Sequence, residues 1–533
     1  MIAMVLTVLA ILRIQTDPRW WVLAIAVIAF VAAVLAPQPS ATWADAVDGW
    51  SAAAAVTVLV VTARSVFTWQ AADFIARLGT HTDGVRHITL GAAVDSYGGY
   101  LTFSNQADHL LPGLQHYPQG ASGVLAVVFR SLAGRHPSPE TMAVVGYWAL
   151  IALLALTTWL VTTSVLSLAS RLSGSRLSAA QHAVGAAVVV ATGLAGPLYL
   201  TFELGYFAQE AATLALLAAM CVMIDSNWNR RVAVVLSLLL VAVAQAWYLL
   251  VPAALVVVAW WWRRQSPRRL LFLPATVVAP FIVFPFVTGP SPTKQLLAVG
   301  ITPAPNEIVV SALIVGGLIA TLTLRRRAVD GPNVVSCTLY TLLGFTVLIG
   351  SWEFAQATAD SAYYAVKLFV LVLMFAGLAI ATATTVALGS ALGEDRVSVA
   401  AMLVASCTVA IGGLSYLADR TGDPPPRALR EAQLYVQSSR GHGTKSLIMV
   451  FDGCGYADRF MSHAVANLNK EFSPALNDVM ATYMNSKRSS IEGLVQLARD
   501  RRVDALEVIT AAPCAPGQLA KLGQLPKVTV IGS

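Results

Sequence analysis

The feature that most constrains this chain is a succession of apolar runs, each near the length needed to cross a bilayer, separated by short polar joints. A hydrocarbon core of about 30 Å needs about 20 apolar residues in a spanning helix. Lipid leaves such a chain few folds besides a helical bundle that satisfies its own backbone. The runs fall at 2–14, 20–36, 50–68, 141–168, 181–201, 206–225, 231–246, 248–262, 270–287, 307–324, 334–350, 361–386 and 397–417. The expectation is an α-helical polytopic membrane protein with about thirteen spans. Residues 1–12 lack a basic start and a small-residue cleavage site, and a second apolar run follows, so both runs are read as membrane segments.

Composition agrees with this reading. Of 533 residues, 57% are hydrophobic, and the mean hydropathy is +0.68, against roughly 45–50% apolar residues in soluble domains. A net charge of +7 would point to nucleic acid in a soluble protein. Here the arginines cluster in alternate joints instead: Arg171 and Arg176; Arg230 and Arg231; Arg263, Arg264, Arg268 and Arg269; Arg325, Arg326 and Arg327. They read as cytoplasmic anchors of a multi-pass plasma-membrane protein, and no nucleic-acid partner is expected. This sidedness requires residues 231–262 to cross twice, turning near Gln245, Trp247 and Tyr248, and residues 117–134 to lie along the surface. It puts the N-terminus in the cytoplasm. The loop 69–140, the loops 288–306 and 351–360, and residues 418–533 then lie outside.

The last region opens with "TGDPPPRALR", which stops a helix. After it, "KSLIMVF" and "KVTVIGS" read as buried strands, and 456–470 and 489–501 as amphipathic helices. A small extracytoplasmic α/β domain is expected over 418–533. Cys454 and Cys514 lie in it, where an oxidising compartment would permit a disulfide between them. Cys221, Cys337 and Cys407 sit in apolar runs as small hydrophobes.

Ionisable residues gather on the outer side. In "HTDGVRHITLGAAVDSYGGY" (81–100), Asp83 and His87 are four apart and share a face if helical, with Thr82 or Asp83 available as a cap. Asp95, Asp108, His109, His116, Tyr117 and Gln119 follow in an unusually long first loop. "ELGYFAQE" brings Glu203, Tyr206, Gln209 and Glu210 to the outer end of two spans. In "SWEFAQATADSAYYAVKLF", Lys367 enters an apolar helix behind Tyr363 and Tyr364. A buried ammonium there must snorkel, pair or meet an anion. Asp83 and His87 with Asp95 or Asp108 lack any known metal spacing, so no metal and no other cofactor is expected. There is no G-x-S-x-G, no P-loop and no dinucleotide fingerprint.

Taken together, "TDGVRH" in the first large outer loop, "YPQG" leading into an interfacial helix and "YYAVK" at the start of a late span resemble the GT-C superfamily of polyprenyl-phosphate-sugar-dependent glycosyltransferases. The order of these motifs looks most like the arabinofuranosyl- and mannosyltransferases of actinobacterial cell envelopes. The resemblance covers 50–417 as the catalytic membrane domain, leaving 1–49 as additional helices. Asp83 also stands without the adjacent second acidic residue. What the resemblance implies is an inverting enzyme in which Asp83 is the general base. His87 would orient Asp83 or touch the donor phosphate, and Lys367 with Tyr363 or Tyr364 would hold it. Glu203, Gln209, His116, Tyr117 and Asp95 are candidate substrate contacts. The implied partners are a polyprenyl-phosphate sugar, an envelope glycan or glycolipid acceptor, and the lipid bilayer, with residues 418–533 binding the acceptor glycan or the wall or serving as a structural lid. A lipid-linked sugar flippase and a non-enzymatic envelope scaffold are the competing readings.

Overall fold

Among the described residues, the apolar runs are helical almost throughout. The computed structural model describes residues 6–9, 12, 15–21, 47–64, 66–80, 83–103, 117–134, 137–173, 177–195, 197–225, 230–265, 272–288, 307–325, 330–355, 363–389, 426–439, 447–452, 456–457, 468, 506–510 and 528–531. The helices are α1 (Val47–Ala63), α2 (Ala71–Thr80), α3 (Gly84–Tyr97), α4 (Gly120–Leu132), α5 (Pro139–Ser173), α6 (Ala179–Ala195), α7 (Pro197–Glu203) and α8 (Phe207–Asp225). They continue with α9 (Arg230–Trp247), α10 (Val251–Gln265), α11 (Phe272–Thr288), α12 (Glu307–Arg325), α13 (Asp330–Ala355), α14 (Tyr363–Gly389) and α15 (Pro426–Ser439).

Among the described residues, five helical stretches are long and apolar enough to cross a membrane: Pro139–Ser173, Phe207–Ile224, Val232–Arg263, Val334–Ala355 and Tyr364–Leu388. Several helices turn large apolar side chains outward, among them Val56 and Val60 on α1, Leu322 on α12, and Val347 and Leu348 on α13. A surface of that kind is stable against lipid and unfavourable against water. The chain is thus an α-helical membrane protein. The run at 397–417 and most of the run at 20–36 lie outside the described residues.

Helix α14 is the axis of the bundle, packed against α5, α6, α12 and α13, with most of its length buried. Helix α8 packs on α5 and α9, and α3 on α4 and α5. The seat of α3 depends on close approach: a Cβ on Gly146 of α5 would fall 2.5 Å from Ile88, so a larger residue there would push α3 outward. The break expected near Gln245–Tyr248 is present. Trp247 is extended, a 3-10 turn covers Tyr248–Leu250, and α10 resumes at Val251.

Two readings of the loop 69–140 meet the structure here. The stretch is largely helical, holding α2, α3 and α4, and much of α3 is buried. The 13 residues of α4 span only about 20 Å, too short to cross lipid.

Towards the C-terminus, Pro426 opens α15, where its missing N–H has no helical partner to lose. Strands β1 (Leu447–Asp452), β2 (Tyr456–Ala457), β3 (Leu506–Thr510) and β4 (Val528–Ile531) form a sheet of order β2-β1-β3-β4. β1, β3 and β4 are parallel and β2 is antiparallel to β1. The two strands expected from sequence are β1 and β4. Tyr456–Ala457, read from sequence as the start of a helix, pair with β1 instead. The stretch 489–501, Cys454 and Cys514 lie outside the described residues. Helix α15 touches both α2 and β3, which ties this region to the bundle.

Candidate functional site

Asp83 lies immediately before α3. It stands at the N-cap position of α3 but makes no side-chain cap there. Its carboxylate instead accepts a hydrogen bond from the Lys367 ammonium at 2.5 Å, a buried ion pair between residues 284 apart in sequence. The Asp83 backbone N–H donates to the Leu204 carbonyl at 3.5 Å. Gly205, with φ of +66°, then turns the chain back into α8.

Lys367 is also fixed from other sides. Its ammonium lies 4.1 Å from the centre of the Tyr206 ring and 5.6 Å from that of Tyr364, distances at which ring quadrupoles attract a cation. Its carbonyl accepts from the Gln209 side-chain amide at 2.9 Å. Both Glu353 carboxylate oxygens accept backbone N–H groups at the start of α14, Tyr364 at 3.2 Å and Ala365 at 3.3 Å. A buried carboxylate at the end of α13 therefore caps the helix that presents Lys367. Replacing Glu353 with Ala is expected to lower stability by about 1–2 kcal/mol, the cost of a lost cap. Glu353→Gln, which keeps one acceptor, should recover part of the melting temperature in detergent.

His87, one turn into α3, completes the cluster. Its ring meets Tyr117 edge-on and Phe207, both with centroids 6.1 Å away. The Tyr117 phenol hydrogen-bonds with Tyr364 and Arg86. Burial pushes the His87 imidazolium down to about 4, and Lys367 and Arg86 act in the same direction against the attraction of Asp83. A neutral imidazole here offers one N–H donor and one nitrogen acceptor.

These contacts bring four helix N-termini together. α3 starts just after Asp83, α4 three residues after Tyr117, α8 just after Tyr206, and α14 four residues before Lys367. His87 meeting Tyr117 and Asp95 meeting Arg130 show that α3 and α4 run side by side in the same direction, so both open at this end. Neither has a side-chain cap. Helix N-termini carry partial positive charge and unpaired N–H groups, which at α14 are already taken in part by Glu353. Added to Lys367 and Arg86, and opposed by Asp83, they make a centre suited to one anionic group.

The site thus unites Asp83, His87, Tyr117, Gln209, Tyr364 and Lys367. It leaves out Asp95 and Glu203. Asp95 is fully buried and accepts from Arg130, Oδ1 from Nε at 2.7 Å and the backbone carbonyl from Nη2 at 3.2 Å. It lies twelve residues from Asp83, about 18 Å along a helix. Glu203 is buried in a second cluster with Arg77, Tyr147 and Tyr199. His116 and the side chain of Tyr363 lie outside the described residues. Among those residues no group of three His, Cys, Asp or Glu side chains is placed to hold a metal ion.

Sequence reasoning gave no role to Arg86, Tyr206 as a platform, or Glu353 as a cap. The i+3 spacing of Asp83 and Arg86 and the "GY" before α8 were visible, but their meaning depends on Lys367, which no local pattern connects to them. No protein-family model matches the chain, and no curated protein matches it.

Proposed function

We propose that this protein is an inverting GT-C-type glycosyltransferase. It moves a sugar, arabinofuranose or mannose, from a polyprenyl-phosphate donor to an envelope glycan or glycolipid at the outer face of the plasma membrane. The observation that carries this reading is the buried Lys367–Asp83 pair beside Arg86 and the uncapped N-termini of α3 and α4. Such a centre pairs a place for a phosphate with a group that can take a proton. In this reading about thirteen spans set the N-terminus inside, and residues 418–533 form an outer α/β domain that binds the acceptor.

The chemistry follows from the charges. A sugar on a lipid phosphate already has a good leaving group, so the enzyme has to stabilise the phosphate and deprotonate the incoming hydroxyl. The donor phosphodiester carries negative charge and competes with Asp83 for Lys367. As Lys367 turns to the phosphate, Asp83 loses its closest cation and becomes more basic. The acceptor hydroxyl attacks the anomeric carbon while its proton passes to Asp83. The bond from that carbon to the phosphate oxygen breaks, and polyprenyl phosphate leaves carrying the electron pair. Tyr206 and Tyr364 keep Lys367 over the leaving group, and Gln209 holds the helix that bears it.

The test is transfer by full-length protein in nanodiscs, given labelled decaprenyl-phosphoryl arabinose or mannose and a mixed envelope glycan. Label is expected on the glycan, with decaprenyl phosphate released in equal amount. If neither donor supports transfer while the same protein moves intact sugar lipid across vesicle bilayers, the flippase reading replaces this one.

A further inference from the structure

Two neutral polar atoms in this site have no use in the steps above. His87 Nδ1 and Gln209 Oε1 are buried and lack a hydrogen-bond partner among the described residues. A buried polar atom left unsatisfied costs about 1–3 kcal/mol, and native interiors keep few of them. Two at one site form a standing cost that a ligand can relieve. Both border the surroundings of Lys367: the His87 ring meets Phe207, the first residue of α8, and the Gln209 amide binds the Lys367 carbonyl.

Their chemistry narrows the ligand. Gln209 gives its amide N–H to the Lys367 carbonyl, so its free oxygen can only accept. Neutral His87 offers one ring nitrogen to a partner that can either donate or accept. Tyr117 and Phe207 flank the imidazole with aromatic surface. The ionised groups of the site, Asp83, Lys367 and Arg86, are matched to a phosphate and a proton, and the buried Glu210, next after Gln209, lies beside Thr157 of α5. Hydroxyls fit neutral acceptors and donors, and sugar C–H faces fit rings.

We infer that the sugar carried by the donor is read by an uncharged subsite of His87 and Gln209 walled by Tyr117 and Phe207, and that this sugar bears no ionised group. This rests on the donor-lipid reading above and moves His87 from phosphate ligand to sugar ligand.

Affinities of the full-length protein in detergent test it, with four probes: farnesyl phosphate and its arabinofuranosyl, mannosyl and 4-amino-4-deoxyarabinosyl derivatives. In wild type, at least one neutral sugar should add affinity over bare farnesyl phosphate, and the amino sugar should not. His87→Phe keeps a ring against Tyr117 and Phe207. It should lose about tenfold of the sugar-dependent affinity, the fold-change of one buried hydrogen bond, with farnesyl phosphate binding unchanged. His87→Gln should restore part of it. Gln209→Glu places a charge in the subsite and should reverse the preference towards the amino sugar; it supplies a second readout should His87→Phe fold poorly. Equal weakening of bare and sugar-bearing lipids by His87→Phe would overturn the inference alone, as would an amino sugar bound by wild type as tightly as the neutral ones. Failure of wild type to bind farnesyl phosphate at all would remove the donor-lipid reading and this inference with it.

Discussion

Under the proposed glycosyltransferase function, full-length protein carrying Asp83→Asn is expected to lose glycosyl transfer by about 10²–10⁴-fold, the range for removal of a positioned acid or base, while still binding the donor lipid. Asparagine keeps the shape of Asp83 and can accept from Lys367, but it cannot take the proton of the acceptor hydroxyl. Lys367→Met should lose transfer too, because the leaving phosphate is then unheld. Stability separates the two roles. The pair is buried on both sides, and breaking one side of a buried pair costs about 3–5 kcal/mol by leaving the other charge uncompensated. Lys367→Met should sit in that range, and Asp83→Asn below it because an amide dipole remains. The double variant leaves neither charge and should regain most of the melting temperature while staying inactive. Both quantities are read on the same detergent preparation. Transfer retained by Asp83→Asn would remove it as the base, and transfer restored in the double variant would reduce the pair to a structural tie.

That pair also marks how far a sequence can be read. The helical membrane character was legible because membrane helices declare themselves by length and hydropathy, with no need for a partner. The shared face of Asp83 and His87 was legible from helical period alone, and β1 and β4 from continuous apolar stretches. Strand β3, "LEVIT", was not recovered, since Glu507 interrupts its apolar pattern and only pairing with β1 and β4 defines it. The link between Asp83 and Lys367 was out of reach because residues 284 apart in sequence carry no local trace of it. The same holds for Asp95. A lone aspartate after an apolar helix looks like a substrate contact until Arg130, 35 residues on, is seen to bind it. Charges at membrane boundaries can be counted from sequence, but whether each serves a ligand or a neighbour depends on packing.

Arg130 gives the second large effect, and this one should fall on stability rather than on transfer. Its guanidinium joins three parts of the chain: α4, the C-terminal turn of α3 through Asp95, and the N-terminal segment through Asp17, whose carboxylate accepts at 3.1 Å. Asp95 and Arg130 are buried, and Asp17 is more exposed. The strength of the link therefore resides in the Asp95 arm, since water screens the outer one. Arg130→Met should cost about 3–5 kcal/mol because it strips a fully buried carboxylate of its guanidinium. Asp17→Asn should cost under about 1 kcal/mol. Asp95→Asn combined with Arg130→Met should recover much of the loss. Because Asp95 lies about 18 Å along α3 from Asp83, the fraction of Arg130→Met that remains folded at low temperature should transfer sugar at nearly the wild-type rate per molecule. If the folded fraction instead shows a loss of transfer as deep as that of Asp83→Asn, with melting unchanged, Asp95 and Arg130 belong to the substrate site and their separation from it in the fold carries no functional meaning.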